Sequence, residues 1–140
     1  MGTEGCRVIP REIIQQARTS YGKYAYLIRF SCASREALVV GGRVVGFVTP
    51  HLEKWGWRHG PMFVLPLFRG RGLVEAYYAA HPERLCVAFV EHTNPASRKM
   101  HSRAGFLPWR KHKSGIYMRR LPLQEQHDQE EEHSAVRIAA

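Results

Sequence analysis

Phe63-Val64-Leu65-Pro66-Leu67-Phe68-Arg69-Gly70-Arg71-Gly72-Leu73-Val74 is the stretch whose reading decides the fold. An apolar strand runs into proline, then into two glycines flanked by arginines, then directly into a helix predicted over Leu73 to Ala80. Glycine lets the backbone turn tightly and come close to a ligand. The first N–H groups of a helix have no intrahelical partner and carry roughly half a positive charge. Such a turn is a cradle for phosphate, and Arg69 and Arg71 add two full charges beside it. Alone, a glycine-rich strand-to-helix turn often only saves space, so a second motif has to carry part of the argument.

That motif is Glu91-His92-Thr93-Asn94-Pro95-Ala96-Ser97, continuing to His101 and closing on Gly105-Phe106. Asn94 is a good N-cap, and proline is tolerated at the first helical position that follows it. Gly105 suits the left-handed residue that ends a helix, so the spacing predicts a short helix from about Pro95 to Ala104. Asn94, Ser97 and His101 then share one helical face.

With both motifs in place, the chain resembles the GNAT acetyltransferase superfamily. Val64, Pro66, Arg69, Gly70 and Gly72 fall in register with that family's pyrophosphate-loop signature; Asn94, Ser97, Gly105 and Phe106 fall in register with its second. The likeness covers about residues 37 to 120. It implies a single α/β (α+β) domain with a mixed, mostly antiparallel central sheet, flanked by helices and splayed at the acyl-CoA site. It further implies acetyl-CoA as cosubstrate, contacted by Val64, Leu65, Arg69, Gly70, Arg71, Gly72, Leu73, Val74, Asn94 and Ser97. Two positions depart from the family: Val74 stands where it has Gly or Ala, and His101 where it has the tyrosine that protonates the departing thiolate. Free imidazole titrates near ~6.5 and is only about one-tenth protonated at pH 7.5. The alternative for His101 is a packing residue beside the cofactor.

The remaining chain is read from its periodicities. Cys6 to Pro10 is a candidate first strand. Arg11 to about Phe30 has a mostly helical period, broken or bent at Gly22. Ala37–Val40 and Arg43–Val48 flank Gly41-Gly42, a two-residue hairpin signal. Met62 to Leu65 and Leu85 to Val90 read as buried strands, and Gly115 to Arg120 as a last strand paired with Leu107 to Arg110. Compared with the family, the N-terminal helical part is short. Residues 1–123 are expected to form the acyltransferase domain and 124–140 an acidic flexible tail, since Gln124 to His133 contains no apolar residue.

The 140 residues are 44% hydrophobic, enough for one sizeable core. No apolar run approaches the ~20 residues of a membrane span. The N-terminal residues match neither a secretory signal nor the myristoylation pattern. Cys6, Cys32 and Cys86 make neither a disulfide framework nor a zinc pattern, and the histidines lack ligand spacing. A cytoplasmic protein without a metal is therefore expected; oligomeric state is not legible.

Charge is the other strong signal. Residues 1–123 carry 20 Lys and Arg against 7 acids, and 98–120 carry eight Lys and Arg with no acid. Coenzyme A needs only a few of these, so the excess points to a second anionic partner. Arg110, Lys111 and Lys113 are candidate nucleic-acid contacts, and Trp55, Trp57 and Trp109 candidate stacking surfaces, with core packing as their alternative.

In the family's reaction an amine attacks the thioester directly. The amine must lose its proton, the carbonyl must be polarised, and the thiolate protonated or stabilised. His101 is the candidate acid, and amides near Leu65, freed by a break in strand pairing, the candidate carbonyl contact. Glu91 is the preferred base over His92, His59 and Glu53; a water chain is the alternative. The expected function is acetyl-CoA-dependent N-acyl transfer, the acceptor a nucleobase amine on DNA or RNA, a protein amine or a small metabolite. Competing readings are an inactive cofactor-binding GNAT domain and a non-catalytic basic nucleic-acid-binding module.

Overall fold

A computed structural model describes residues 8–126. The expected acidic tail lies outside them apart from 124–126, and residues 123–126 are helical. Residues 8–10 are irregular, and the rest of the strand expected at Cys6 to Pro10 also lies outside. The chain forms two compact units, one of residues up to 53 with 58–74, the other of 54–57 with the residues from 75 onward.

The first unit opens with α1 (Arg11–Tyr21), which buries Ile13, Ile14 and Ala17 on one face. Gly22, at φ 56°, ends it, and a 3₁₀ segment (Gly22–Leu27) follows that buries no side chain. Arg18 holds this bend by donating to the carbonyls of Ala25 and Ile28. Strands β1 (Glu36–Val40) and β2 (Arg43–Val48) pair antiparallel across Gly41-Gly42, whose φ values of 56° and 79° suit the tight hairpin turn. Short strands β3 (His51–Glu53) and β4 (Gly56–Arg58) flank the Lys54-Trp55 turn, a pair not anticipated from sequence. Strand β5 (Phe63–Val64) pairs antiparallel with β2. Just before it, the Tyr21 hydroxyl donates to the Met62 carbonyl at 2.8 Å and accepts from the Met62 N–H at 3.1 Å, so the helix satisfies both backbone groups there.

Ile13, Ile14, Ala17, Ile28, Val45, Phe47, Phe63 and Leu65 form the first unit's core, with Leu73 packed against it. Each large apolar side chain so buried stabilises by ~1.5–3 kcal/mol. The core therefore grips the chain on both sides of the glycine loop, at Phe63–Leu65 and at Leu73.

In the second unit, β6 (Cys86–Glu91) runs parallel to β4, with Trp57 opposite Cys86, and antiparallel to β8 (Gly115–Arg120). Strand β7 (Leu107–His112) pairs with β8 and forms the sheet edge. Helices α2 (Leu73–Ala79) and α3 (Pro95–Arg103) complete the element order. Arg120 is buried and donates to the carbonyls of Tyr78 (2.6 Å), His81 (2.6 Å) and Arg84 (3.0 Å), closing the C-terminal end of α2 with a planar fork. The architecture is thus mixed α/β and mostly antiparallel, as expected.

Candidate functional site

The loop after β5 is built by its own hydrogen bonds. Pro66–Phe68 make a 3₁₀ turn, with the Phe68 amide on the Leu65 carbonyl (2.8 Å) and the Arg69 amide on the Pro66 carbonyl (3.3 Å). Gly70 and Gly72 follow at φ 76° and 74°, a region that penalises L side chains, and α2 begins at once. The Arg69 Nε donates to the Val64 carbonyl at 2.8 Å, while its guanidinium lies 5.4 Å from the Phe63 ring. The Arg71 guanidinium lies 4.8 Å from the Phe68 ring, and that of Arg43 5.6 Å. Among the described residues none of these three arginines pairs with a carboxylate. Val74 is buried, so its branched side chain packs inward instead of standing at the loop surface.

The Leu65 amide is itself paired: it donates to the Val45 carbonyl at 2.8 Å, carrying the β2–β5 ladder one residue past the strand end. The proline at 66 ends that ladder, because it has no N–H to offer. His59 follows β4 and is buried, with its carbonyl accepting from the Thr49 amide (3.0 Å). Glu53 is held by His51 (2.8 Å) and Arg58 (3.7 Å).

In the second unit, Asn94 caps α3 by accepting from the Ser97 amide at 3.1 Å, with Pro95 next in the helix. His101 Nδ1 donates to the Ser97 carbonyl at 2.8 Å, so Asn94, Ser97 and His101 are hydrogen-bonded along one face as their spacing required. With Nδ1 holding the proton, the neutral ring keeps its lone pair on Nε2. His101 is only 4% exposed, and its ring stands 5.0 Å from Phe106 and 6.1 Å from Tyr78. Burial pushes its pKa below the usual imidazole value, opposed less strongly by the Ser97 carbonyl and the Glu75 carboxylate. This counts against a resting imidazolium, and the neutral ring, with its proton on Nδ1, has none to spare on Nε2. Burial raises the Tyr78 phenol well above its ordinary range, so it stays protonated.

Glu91 ends β6 opposite Gly115, exposed, with Thr93 Oγ1 at 3.5 Å from its carboxylate. His92 follows it, exposed, its amide on the Ser114 carbonyl. Arg110, Lys111 and Lys113 are all exposed along β7 and its turn. Tyr78 escaped the sequence reading, although Val74 and Tyr78 stand one helical turn apart and share the buried face of α2. Arg120 escaped it too, since nothing local marks an arginine as a buried cap. Among the described residues no three His, Cys, Asp or Glu side chains gather as a metal site, and no helix is long and apolar enough to cross a membrane. Cys32 and Cys86 are free thiols; Cys6 lies outside the described residues.

Comparison with solved structures places this architecture. The chain is similar to a protein described as an acetyltransferase (14% identity, 83% of this chain and 98% of that one, TM-score 0.56). It is also similar to the NatB acetyltransferase complex bound to CoA and MES (16%, 83% and 98%, TM-score 0.57). A third is the PaiA N-acetyltransferase from Thermoplasma acidophilum in complex with coenzyme A (16%, 81% and 80%, TM-score 0.54). No family model and no curated protein matches. At these identities it is the fold that is shared, and the chain has the fold of these solved acetyltransferases.

Proposed function

We propose that this chain is an acetyl-CoA-dependent N-acyltransferase whose acceptor amine is carried on DNA or RNA. The observation that carries the acyltransferase reading is the loop. Two left-handed glycines alternate with two arginines and lead straight into α2, the arginines having no carboxylate partner among the described residues, within a fold shared with acetyltransferases. Val64 to Val74 would hold acetyl-CoA, the amides and arginines facing its pyrophosphate. Two similar proteins were solved with coenzyme A, which supports that choice. The free thiols of Cys32 and Cys86 fit a reducing, cytoplasmic setting.

The acyl group arrives as a thioester. The amine nitrogen forms the new C–N bond, the C–S bond breaks, one proton leaves the amine and one reaches the thiolate. His101 starts neutral, so it can give a proton only after taking one up on Nε2. The amine being acylated releases that proton, which lets one imidazole serve first as base and then as acid. Glu91, exposed at the end of β6, is the other group able to accept it. The buried, neutral state of His101 also favours a second reading, a cofactor-binding domain without turnover.

Mass spectrometry after incubation with labelled acetyl-CoA decides between them, using single-stranded DNA, RNA, a protein mixture and polyamines as acceptors. Label on a nucleobase is expected; label on protein or polyamine alone would move the acceptor, and none anywhere would leave the inactive reading. Charge supplies a further check. About six phosphate contacts cost ~10³-fold in affinity between 50 and 200 mM salt. Reversing Arg110, Lys111 and Lys113 to glutamate should flatten that slope, and an unchanged slope would end the nucleic-acid reading.

A further inference from the structure

Strand β7 is irregular at one residue. Pro108 faces Met118 and Arg110 faces Tyr117, leaving Trp109 as the extra residue of a β-bulge. A bulge re-aims side chains out of strict alternation. Here the Arg110 guanidinium lies 4.5 Å from the Trp109 ring although the two are sequence neighbours. It also lies 5.2 Å from the ring of Trp55, which meets Trp109 edge to face at 5.9 Å. Arg119 stands 5.0 Å from Trp109 and the Lys54 ammonium 5.8 Å from Trp55. Three cations therefore surround two indoles.

The same unit contains a finished version of this interaction. Trp57 lies beneath Arg84 at 4.2 Å, and that guanidinium has Glu83 at 3.9 Å and the Tyr77 hydroxyl at 3.2 Å. Its charge is met inside the protein, so Trp57 drops out as a stacking surface. At Trp55 and Trp109 the opposite holds. Among the described residues, Lys54, Arg110, Lys111, Lys113 and Arg119 make no ion pair, and Trp55 is 48% exposed. Two packed indoles would hold the β7 edge to the Lys54-Trp55 turn without any cation. Like charges gathered on them raise the energy of the free protein and are relieved by an anion.

We propose that Trp55, Trp109, Arg110 and Arg119 form a stacking platform for single-stranded nucleic acid. Such a strand supplies both things the cluster lacks, phosphate charge and planar faces that stack on indole or guanidinium. An acidic peptide or a sulfated sugar supplies only charge, and a duplex keeps its base faces covered. This deepens the acceptor reading and rests on it only for the idea that the bound strand carries the acceptor amine.

Fluorescence anisotropy with the full-length protein tests it, using a labelled oligothymidine of about 12 nucleotides, its duplex form and heparin as competitor. The single strand should bind at least ~10-fold tighter than the duplex. Trp55→Ala and Trp109→Ala should each weaken it ~10-fold, in line with base–aromatic stacking. Trp55→Phe should retain most of the affinity, which separates a lost ring face from a damaged fold. Equal binding of single strand, duplex and heparin, or no loss in both alanine variants with melting temperatures unchanged, would overturn the platform. Acetyl-CoA-induced thermal stabilisation, measured alongside, reports on the acyltransferase reading separately.

Discussion

The glycine loop at Pro66–Val74 and the histidine on α3 are built on opposite plans. The loop leaves Arg69, Gly70 and Arg71 exposed and presents its guanidinium charge at the surface. His101 is enclosed by Phe106 and Tyr78, its Nδ1 proton committed to Ser97. A binding surface made of backbone and fixed cations depends on conformation and little on pH. A buried imidazole depends on desolvation, and the same burial that orients it removes its charge. Binding and proton transfer should therefore fail separately when each region is damaged.

The largest expected effect is at the loop. Gly72→Val forces a β-branched residue to φ 74°, costing roughly 1–2 kcal/mol of folding stability. It should also remove the stabilisation that acetyl-CoA gives the parent, ~2.7 kcal/mol at a hundredfold excess over Kd. Thermal melts with and without millimolar acetyl-CoA measure both. If the parent itself shows no shift, the loop is not a coenzyme A site.

His101→Ala should lower turnover ~10²-fold while the acetyl-CoA thermal shift survives. Equal rates in variant and parent would reduce the histidine to packing. Because the ring starts neutral, parent turnover should hold through pH 7–8 and fall as acid protonates it, below its ordinary value of 6.5. A rate that instead falls on going from pH 6 to 7.5 would show a resting acid. Stability has the same sign. The folded ring binds its proton less readily than the unfolded one, so its contribution is complete above about 6.5 and lost as pH falls through the folded value. Melting of His101→Phe should show a shallower acid loss than the parent.

The smallest effect is on the helix that carries the histidine. Asn94→Ala removes the cap on the Ser97 amide and should cost about 1 kcal/mol. Its turnover should fall more than its acetyl-CoA thermal shift, because the cap starts the short helix whose last turn carries His101, which is bonded back to Ser97. A variant that loses cofactor binding first would instead make Asn94 a ligand contact.

The elements legible in the sequence are those set by neighbours in the chain. The Gly41-Gly42 turn, the Asn94 cap with Pro95, and the two glycines before α2 stand as read, since each follows from residues within a few positions. Other features depend on a distant strand. That the Leu65 amide pairs with the Val45 carbonyl of β2 follows from no neighbour in sequence, and the bulge at Trp109 cannot be read without the register of β8.

Sequence by itself determined the backbone features of the loop, because proline and glycine restrict or release φ whatever surrounds them. It determined the excess of positive charge as well, which is a matter of composition. Tertiary structure alone decided what the side chains do. It placed His101 among aromatic rings and so pushed its pKa down, turned Arg120 into a helix cap 36 to 42 residues from its acceptors Tyr78, His81 and Arg84, and gave Arg84 a carboxylate while leaving Arg110 without one among the described residues. Protonation and charge neutralisation depend on distances and on the loss of water, and these arise only when remote segments pack.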